Sequence, residues 1–314
     1  MKKIALIVSA ISAGLFSAAH ADISVSGSAG AGVSSGIAAA GTQVTNGAAI
    51  AFALSSDLGN GVVVSTSAGI SLDSNDEAAL STVNATGLSN LTFTTGSTSF
   101  TIGGDIDIAG DGVGEVGGVV GDLVDEGGYN QGAVGMGGLA QEDGYGLSVT
   151  TAVGAGTLTA AYILDSDSDK NMAVTDDAST ASGIEVSMPL GDITVSVGAA
   201  SDDNTSTGGS NSGASASMAL VGGTVTAGMA ETNLTAGTST STWGLSYAGT
   251  LAGANLSLGY TSGTAGTEKS TRTEVSLSQS IGAGASVFLD ISTGSGKTSG
   301  TNGSNIAVGT TFTF

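Results

Sequence analysis

The chain has 314 residues, no cysteine, one histidine and a formal net charge of −21, with 27 acidic residues against six basic ones. So acidic a chain repels nucleic acid, whose binding depends on neutralising phosphates with Lys and Arg, and the lack of cysteine excludes a disulfide framework. A hydrophobic content of 40% and a mean hydropathy of +0.31 exclude a disordered tail, while 53 glycines and the single Pro189 suit many strands joined by turns.

The chain starts with a leader. Lys2 and Lys3 are followed by a largely apolar run from Ile4 to Ala18 and by the small-x-small site Ala19-His20-Ala21. A bilayer core needs about 20 apolar residues, this run is shorter, and no charged stop follows it. A cleavable signal peptide is therefore expected over residues 1–21 and a mature chain over 22–314. Without Lys2 and Lys3, four basic residues face 27 acidic ones, a net charge of −23.

After Ala21 no run is apolar enough for a membrane-crossing helix, but apolar residues alternate with small polar ones. Val62, Val64, Ala68, Ile70 and Leu72 share one face of 62–72, opposite mostly Ser and Gly. The same pattern sets Ile193, Val195 and Val197 against Thr194, Ser196 and Gly198, and Trp243, Leu245 and Tyr247 against Gly244, Ser246 and Ala248. Val287, Leu289 and Ile291 likewise oppose Ser286 and Asp290. Such alternation marks strands with one apolar and one polar face.

Short Gly-rich turns are expected at 56–60, 95–98, 154–156, 189–192, 221–223, 249–253 and 282–284. Longer polar segments lie between them at 34–46, 73–86, 104–144, 165–181, 201–213, 233–240, 262–270 and 293–304. Short and long connections alternate, and the runs between them number about sixteen, an even count within the range of bacterial barrels. The fold class read from this layout is all-β, a transmembrane antiparallel β-barrel. A globular sandwich would carry far more Lys and Glu on its polar faces, and a β-solenoid would show a constant short repeat, which is absent. At the C-terminus Ile306, Val308, Thr310, Phe312 and Phe314 share one face. Bare aromatics on a soluble edge strand invite aggregation, whereas in a closed barrel they sit at the membrane interface.

With this layout the chain resembles the general diffusion porins of Gram-negative bacteria, particularly the alphaproteobacterial type. Three stretches carry the resemblance most specifically. Ser56-Asp57-Leu58-Gly59-Asn60-Gly61 is similar to their early periplasmic turn. Leu91 through Thr101-Ile102-Gly103-Gly104-Asp105 resembles the fifth strand running into the inward-folded third loop. Thr311-Phe312-Thr313-Phe314 resembles the aromatic-ended last strand read by the outer-membrane assembly machinery, so Phe312 and Phe314 are the expected assembly signal. Gly114-Glu115-Val116-Gly117-Gly118 is similar to the Pro-Glu-Phe-Gly-Gly turn of many general porins, departing from it at Gly114 and Val116. The resemblance implies an outer-membrane homotrimer of sixteen-stranded barrels, each with a water-filled lumen narrowed by the third loop, here 104–144. Two features depart from the family. Aromatics make up 4% of the chain, and no Lys or Arg occurs between Lys3 and Lys170, where the family usually sets a basic cluster facing the acidic loop.

The residues offer no catalytic constellation. The only histidine, His20, lies in the leader, so a serine nucleophile lacks the usual base, and His or Cys metal sites are ruled out of the mature chain. Gly103-Gly104, Gly117-Gly118 and Gly127-Gly128 have no nearby lysine and read as tight bends rather than a phosphate loop. The acidic residues Asp105, Asp107, Asp111, Glu115, Asp122, Asp125 and Glu126 of the long loop read either as carboxylates at a constriction that favours cations or as a solvated charge run. Asp105, Asp107 and Asp111 also offer oxygen ligands for Ca²⁺, though their spacing matches no complete calcium motif; no other cofactor is expected. By strand parity Glu185, Arg272 and Asp290 point into the lumen, whereas Lys170 and Lys297 fall in outer loops. The expected function is passive diffusion of small hydrophilic solutes and ions, with cations preferred. The alternatives are a solute-selective channel and a non-conducting exported surface or adhesion protein on the same framework. The partners expected are outer-membrane lipid, small polar solutes and cations.

Overall fold

The computed structural model describes residues 21–36, 42–73, 82–86, 90–110, 113, 116, 143–165, 180–204, 208–235, 237, 239–296 and 303–314. The expected leader lies outside them except for Ala21, which opens the first strand.

Among the described residues every regular element is a strand, because period-2 alternation of Val, Ile, Leu and aromatics with Ser, Thr and Gly suits a sheet solvated differently on its two sides. In chain order these are β1 (Ala21–Gly36), β2 (Thr42–Asp57), β3 (Val62–Asp73), β4 (Thr82–Thr86), β5 (Leu91–Thr95), β6 (Thr98–Asp107), β7 (Asp143–Val153), β8 (Gly156–Asp165) and β9 (Ala181–Leu190). They continue as β10 (Ile193–Asp202), β11 (Gly209–Leu220), β12 (Gly223–Leu234), β13 (Thr240–Leu251), β14 (Ala254–Ala265), β15 (Glu268–Gly282), β16 (Ala285–Gly296) and β17 (Gly303–Thr313).

Neighbours in sequence pair antiparallel, and β1 also pairs with β17 from Ser28 opposite Thr313 to Gly36 opposite Asn305, so the sheet closes. β4 and β5 both pair with β3 and lie end to end along it, one opposite Gly69 to Asp73 and the other opposite Val62 to Ser65. They are two halves of one barrel strand, which gives sixteen strands around the barrel. Four steps along β3, Ser65 to Gly69, face six on the partner, Thr86 to Thr92. Closure matters because a strand edge leaves N–H and C=O groups unpaired, which hydrocarbon does not satisfy.

Tight connections cluster at one rim, after β2, β5, β7, β9, β11, β13 and β15. The β13–β14 turn, Ala252-Gly253, has φ of 53° and 87°, the paired positive values that a hairpin turn matching strand twist requires. Both ends of the barrel sequence lie at this rim, Ala21 opposite Ser56 and Thr313 donating its N–H to the carbonyl of Gly284 at 2.7 Å. The segment 262–270, expected as a long polar connection, is instead strand on both sides of a two-residue turn, Gly266-Thr267. Its Thr and Ser residues favour strand as readily as loop, so composition alone misplaced the boundary. Pro189 lies in β9, opposite Thr194, rather than in the turn that follows.

Parity sorts the side chains. Leu256, Leu277, Leu289, Val308, Val33 and Val44 stand directly across from one another on successive strands from β14 to β2. This apolar belt faces outward, with Val308 53% and Val44 71% exposed. Such a surface marks a membrane contact. At the seam the backbone of Phe314 exchanges hydrogen bonds with Gly27, at 2.8 and 3.0 Å. The Phe314 ring lies over Gly27, where any Cβ would collide with it.

Leu289→Arg should lower barrel stability by about 2–4 kcal/mol, the cost of a cation on the lipid face near mid-membrane. Denaturant titration of vesicle-folded protein measures it, and wild-type stability would place Leu289 off the lipid face. Deleting Phe314 removes two seam hydrogen bonds and the ring over Gly27. The expected outcome is a lower cellular yield of closed, heat-modifiable barrel, and an equal yield would contradict it.

Candidate functional site: the lumen and its inward loop

Inside the barrel, the base of the long loop is held by apolar packing. A bulge between Gly103 and Ile106 breaks the β6–β7 register, and bulges bend a strand and redirect its side chains. Ile106, Ile108 and Ala109 then bury against Ala161 and Ile163 of β8, Ala181 of β9 and Ala200 of β10. Ile163 is fully buried. From Gly110, at φ 85°, the chain runs along the inner wall. The carbonyls of Ala109, Val113 and Val116 lie against Gly183 of β9, Gly213 of β11 and Gly244 of β13. Thr261 of β14 donates its hydroxyl to the Val116 carbonyl at 3.3 Å.

The expected site residues fall into two groups. Of the expected loop acids, Asp107 is the last residue of β6, exposed and on the face opposite the buried Ile106 and Ile108. Asp105 lies in β6, and its side chain falls outside the described residues, as do Asp111, Glu115, Asp122, Asp125 and Glu126. On the wall, Glu185 is half-buried beside outward Ile184 and stands across from Gly198. Arg272 and Asp290 are buried on the lumen side of β15 and β16.

Parity had also left out a partner. Glu274, the next lumen position after Arg272 on β15, forms an ion pair with the Arg272 Nε, and the two side chains are 2% and 3% exposed. Glu274 stands across from Gly259 and Ser292, and Asp290 across from Ser276 and Ala307. Asp202, buried near the end of β10, accepts the Asn204 N–H at 2.9 Å and adds another acid to the interior. Phe288 was missed as well. It is 4% exposed and lies over Gly309, directly across the ladder on β17.

Hydroxyls are frequent on the described wall. On the face of β5–β10 that carries Glu185, hydroxyl pairs join Thr92 to Thr101, Thr94 to Ser99, Thr150 to Thr159 and Ser187 to Ser196, at 3.0 to 3.2 Å. Each pair joins residues directly across a ladder, the position where Ser and Thr stabilise neighbouring strands. This face offers hydroxyl groups as hydrogen-bond donors and acceptors. Among the described residues no group of three or more His, Cys, Asp or Glu stands close enough to hold a metal.

The sequence profile described as Gram-negative porin matches residues 5–312. No curated protein matches the chain in sequence. Among solved structures, an anion-selective porin from Comamonas acidovorans superposes with a TM-score of 0.70 at 13% identity, covering 94% of this chain and 100% of its own. A mutant of the porin of Rhodopseudomonas blastica gives 0.65 at 14%, covering 93% and 100%. The in-vitro folded trimer form of OmpT, an outer-membrane protein of Vibrio cholerae, gives 0.68 at 12%, covering 94% and 99%.

Glu274→Gln leaves the Arg272 charge buried without its ionic partner, and should destabilise the barrel by about 3–5 kcal/mol. Replacing both, Arg272→Met with Glu274→Leu, should restore most of that loss, because neither charge is then desolvated. Unfolding titrations of the three proteins make the comparison, and a double variant less stable than Glu274→Gln would contradict it.

Proposed function

The chain belongs to the Gram-negative porin family and is an outer-membrane channel, and on that premise we propose that it passes small hydrophilic solutes and ions down their gradients with a preference for cations. The observation that carries the sign is the charge inventory of the passage. The interior wall holds Asp202, Glu185, Glu274 and Asp290 against a single described cation, Arg272, which Glu274 already neutralises. The 104–144 loop adds Asp105, Asp107, Asp111, Glu115, Asp122, Asp125 and Glu126, and contains no Lys or Arg. Carboxylates lining a narrow passage raise the local cation concentration when no fixed cation faces them. The anion-selective relative from Comamonas acidovorans has the same barrel, so the sign of selectivity belongs to side chains rather than to the fold.

Assembly as a homotrimer extends the same reading, supported by the trimer form solved for the Vibrio cholerae protein. Phe312 and Phe314 are the proposed signal for the outer-membrane assembly machinery. They share the outward face of β17 at its end, with Phe314 77% exposed.

The reversal potential across a KCl gradient should report cation preference. It should weaken with salt, because the Debye length falls from about 10 Å at 0.1 M to about 3 Å at 1 M. Changing Asp105, Asp107, Asp111 and Glu115 together to Asn or Gln should reduce the preference. An anion-selective wild type refutes the proposal. Unchanged selectivity after all four substitutions moves the filter to Glu185 and Asp290.

A further inference from the structure

We infer that a track of glycines on the lumen wall is the seat of the inward loop and sets the aperture of the channel. Along β9 to β13 the track runs through Gly183, Gly198, Gly213, Gly228 and Gly244. Gly198 stands directly across from Gly213, and Gly228 directly across from Gly244. The other two steps shift by two residues along the ladder, since Gly183 faces Ala200 and Gly213 faces Ala230. Each glycine therefore keeps the lumen parity, and together they form a shallow channel with no side chains across five strands. Glycine inside a strand weakens it and often marks a place where another backbone comes close. Here that backbone belongs to the inward loop.

The loop follows the track in order. A Cβ at Gly183 would collide with the Ala109 carbonyl, one at Gly213 with the Val113 carbonyl and one at Gly244 with the Val116 carbonyl. At Gly198 a Cβ would come within 2.6 Å of Gly110 Cα. All four neighbours are backbone, which has no rotamer with which to move aside, so only glycine admits the contact. The apolar cluster around Ile106 and Ile163 fixes where the loop enters, and the Thr261 hydroxyl on the Val116 carbonyl fixes where this stretch ends. Between these anchors the described loop residues Ala109, Gly110, Val113 and Val116 keep their backbone against the wall. Added side-chain bulk on the wall lifts the loop towards the axis and narrows the passage. The glycines thus control pore size without contacting the solute, independently of the carboxylates that set its sign.

The inference rests on the channel reading, and its test separates the two. Gly213→Ala and Gly244→Ala should both fold, as judged by heat-modifiable migration, and both should lose single-channel conductance relative to wild type. Ala227→Val adds bulk to the exposed face of β12 and should leave conductance unchanged. Wild-type conductance in both folded glycine variants would overturn the inference, and so would an equal loss in Ala227→Val. If the glycine variants fail to fold, a second measurement decides. The chain has no native cysteine, so Val116→Cys with Thr261→Cys gives a unique thiol pair for a short bismaleimide. Efficient intramolecular cross-linking in the outer membrane is the expected result and requires no conduction. Absence of the cross-link in folded protein overturns the seat, whereas a silent wild type with a good cross-link fails only the channel reading.

Discussion

Backbone hydrogen bonds have no partners in hydrocarbon, and that constraint shapes the whole molecule. A sheet meets it only by closing on itself, and the β1–β17 ladder does so, continued by the paired hydrogen bonds between Gly27 and Phe314. Closure makes one face of every strand outer and the other inner. Leucine and valine then belong outside, in the belt from Leu256 to Val44. The inner face is left to hydroxyls, glycine and a few charges, the reverse of a soluble globular protein. Apolar burial inside the barrel is correspondingly scarce. One described cluster, Ile106, Ile108, Ala109, Ala161, Ile163, Ala181 and Ala200, lies at the root of the inward loop; a smaller one pairs Phe288 with Ala307.

That economy concentrates function in a few wall positions. Hydroxyl ladders give a neutral, hydrated surface on one part of the wall, while Arg272, Glu274 and Asp290 gather on β15 and β16. Because Arg272 is already paired with Glu274, the described charges left on the wall are acidic. The loop backbone rests on glycines, so its course and its charge are set by different residues. On the proposed reading, selectivity and aperture are separable properties.

Much of this was legible in the sequence because a two-residue period survives any detail of packing. It assigns Glu185, Arg272 and Asp290 to the face opposite the apolar side chains, and Phe312 and Phe314 to the apolar one. Parity would equally have found Glu274, two residues beyond Arg272; the ion pair itself depends on side-chain reach. Other features depend on contacts between distant parts of the chain. Val116 meets Thr261 across 145 residues of sequence, and the four glycines under the loop are indistinguishable in sequence from the rest of the 53. The division of the fourth barrel strand into β4 and β5 comes from a mismatch of six residues against four, visible only once the partner is known. Phe288 alternates with outward Val287 and Leu289, so its inward face was readable, but its place over Gly309 needed the β16–β17 register.

An open lumen inside the closed ladder has one direct consequence: the folded protein conducts. Purified protein, confirmed as closed barrel by heat-modifiable migration, would be added to a planar lipid bilayer in KCl and single-channel current recorded. Discrete, long-lived open steps that scale linearly with voltage are the predicted result. Folded protein that inserts and yields no steps would contradict the account and favour a non-conducting exported framework.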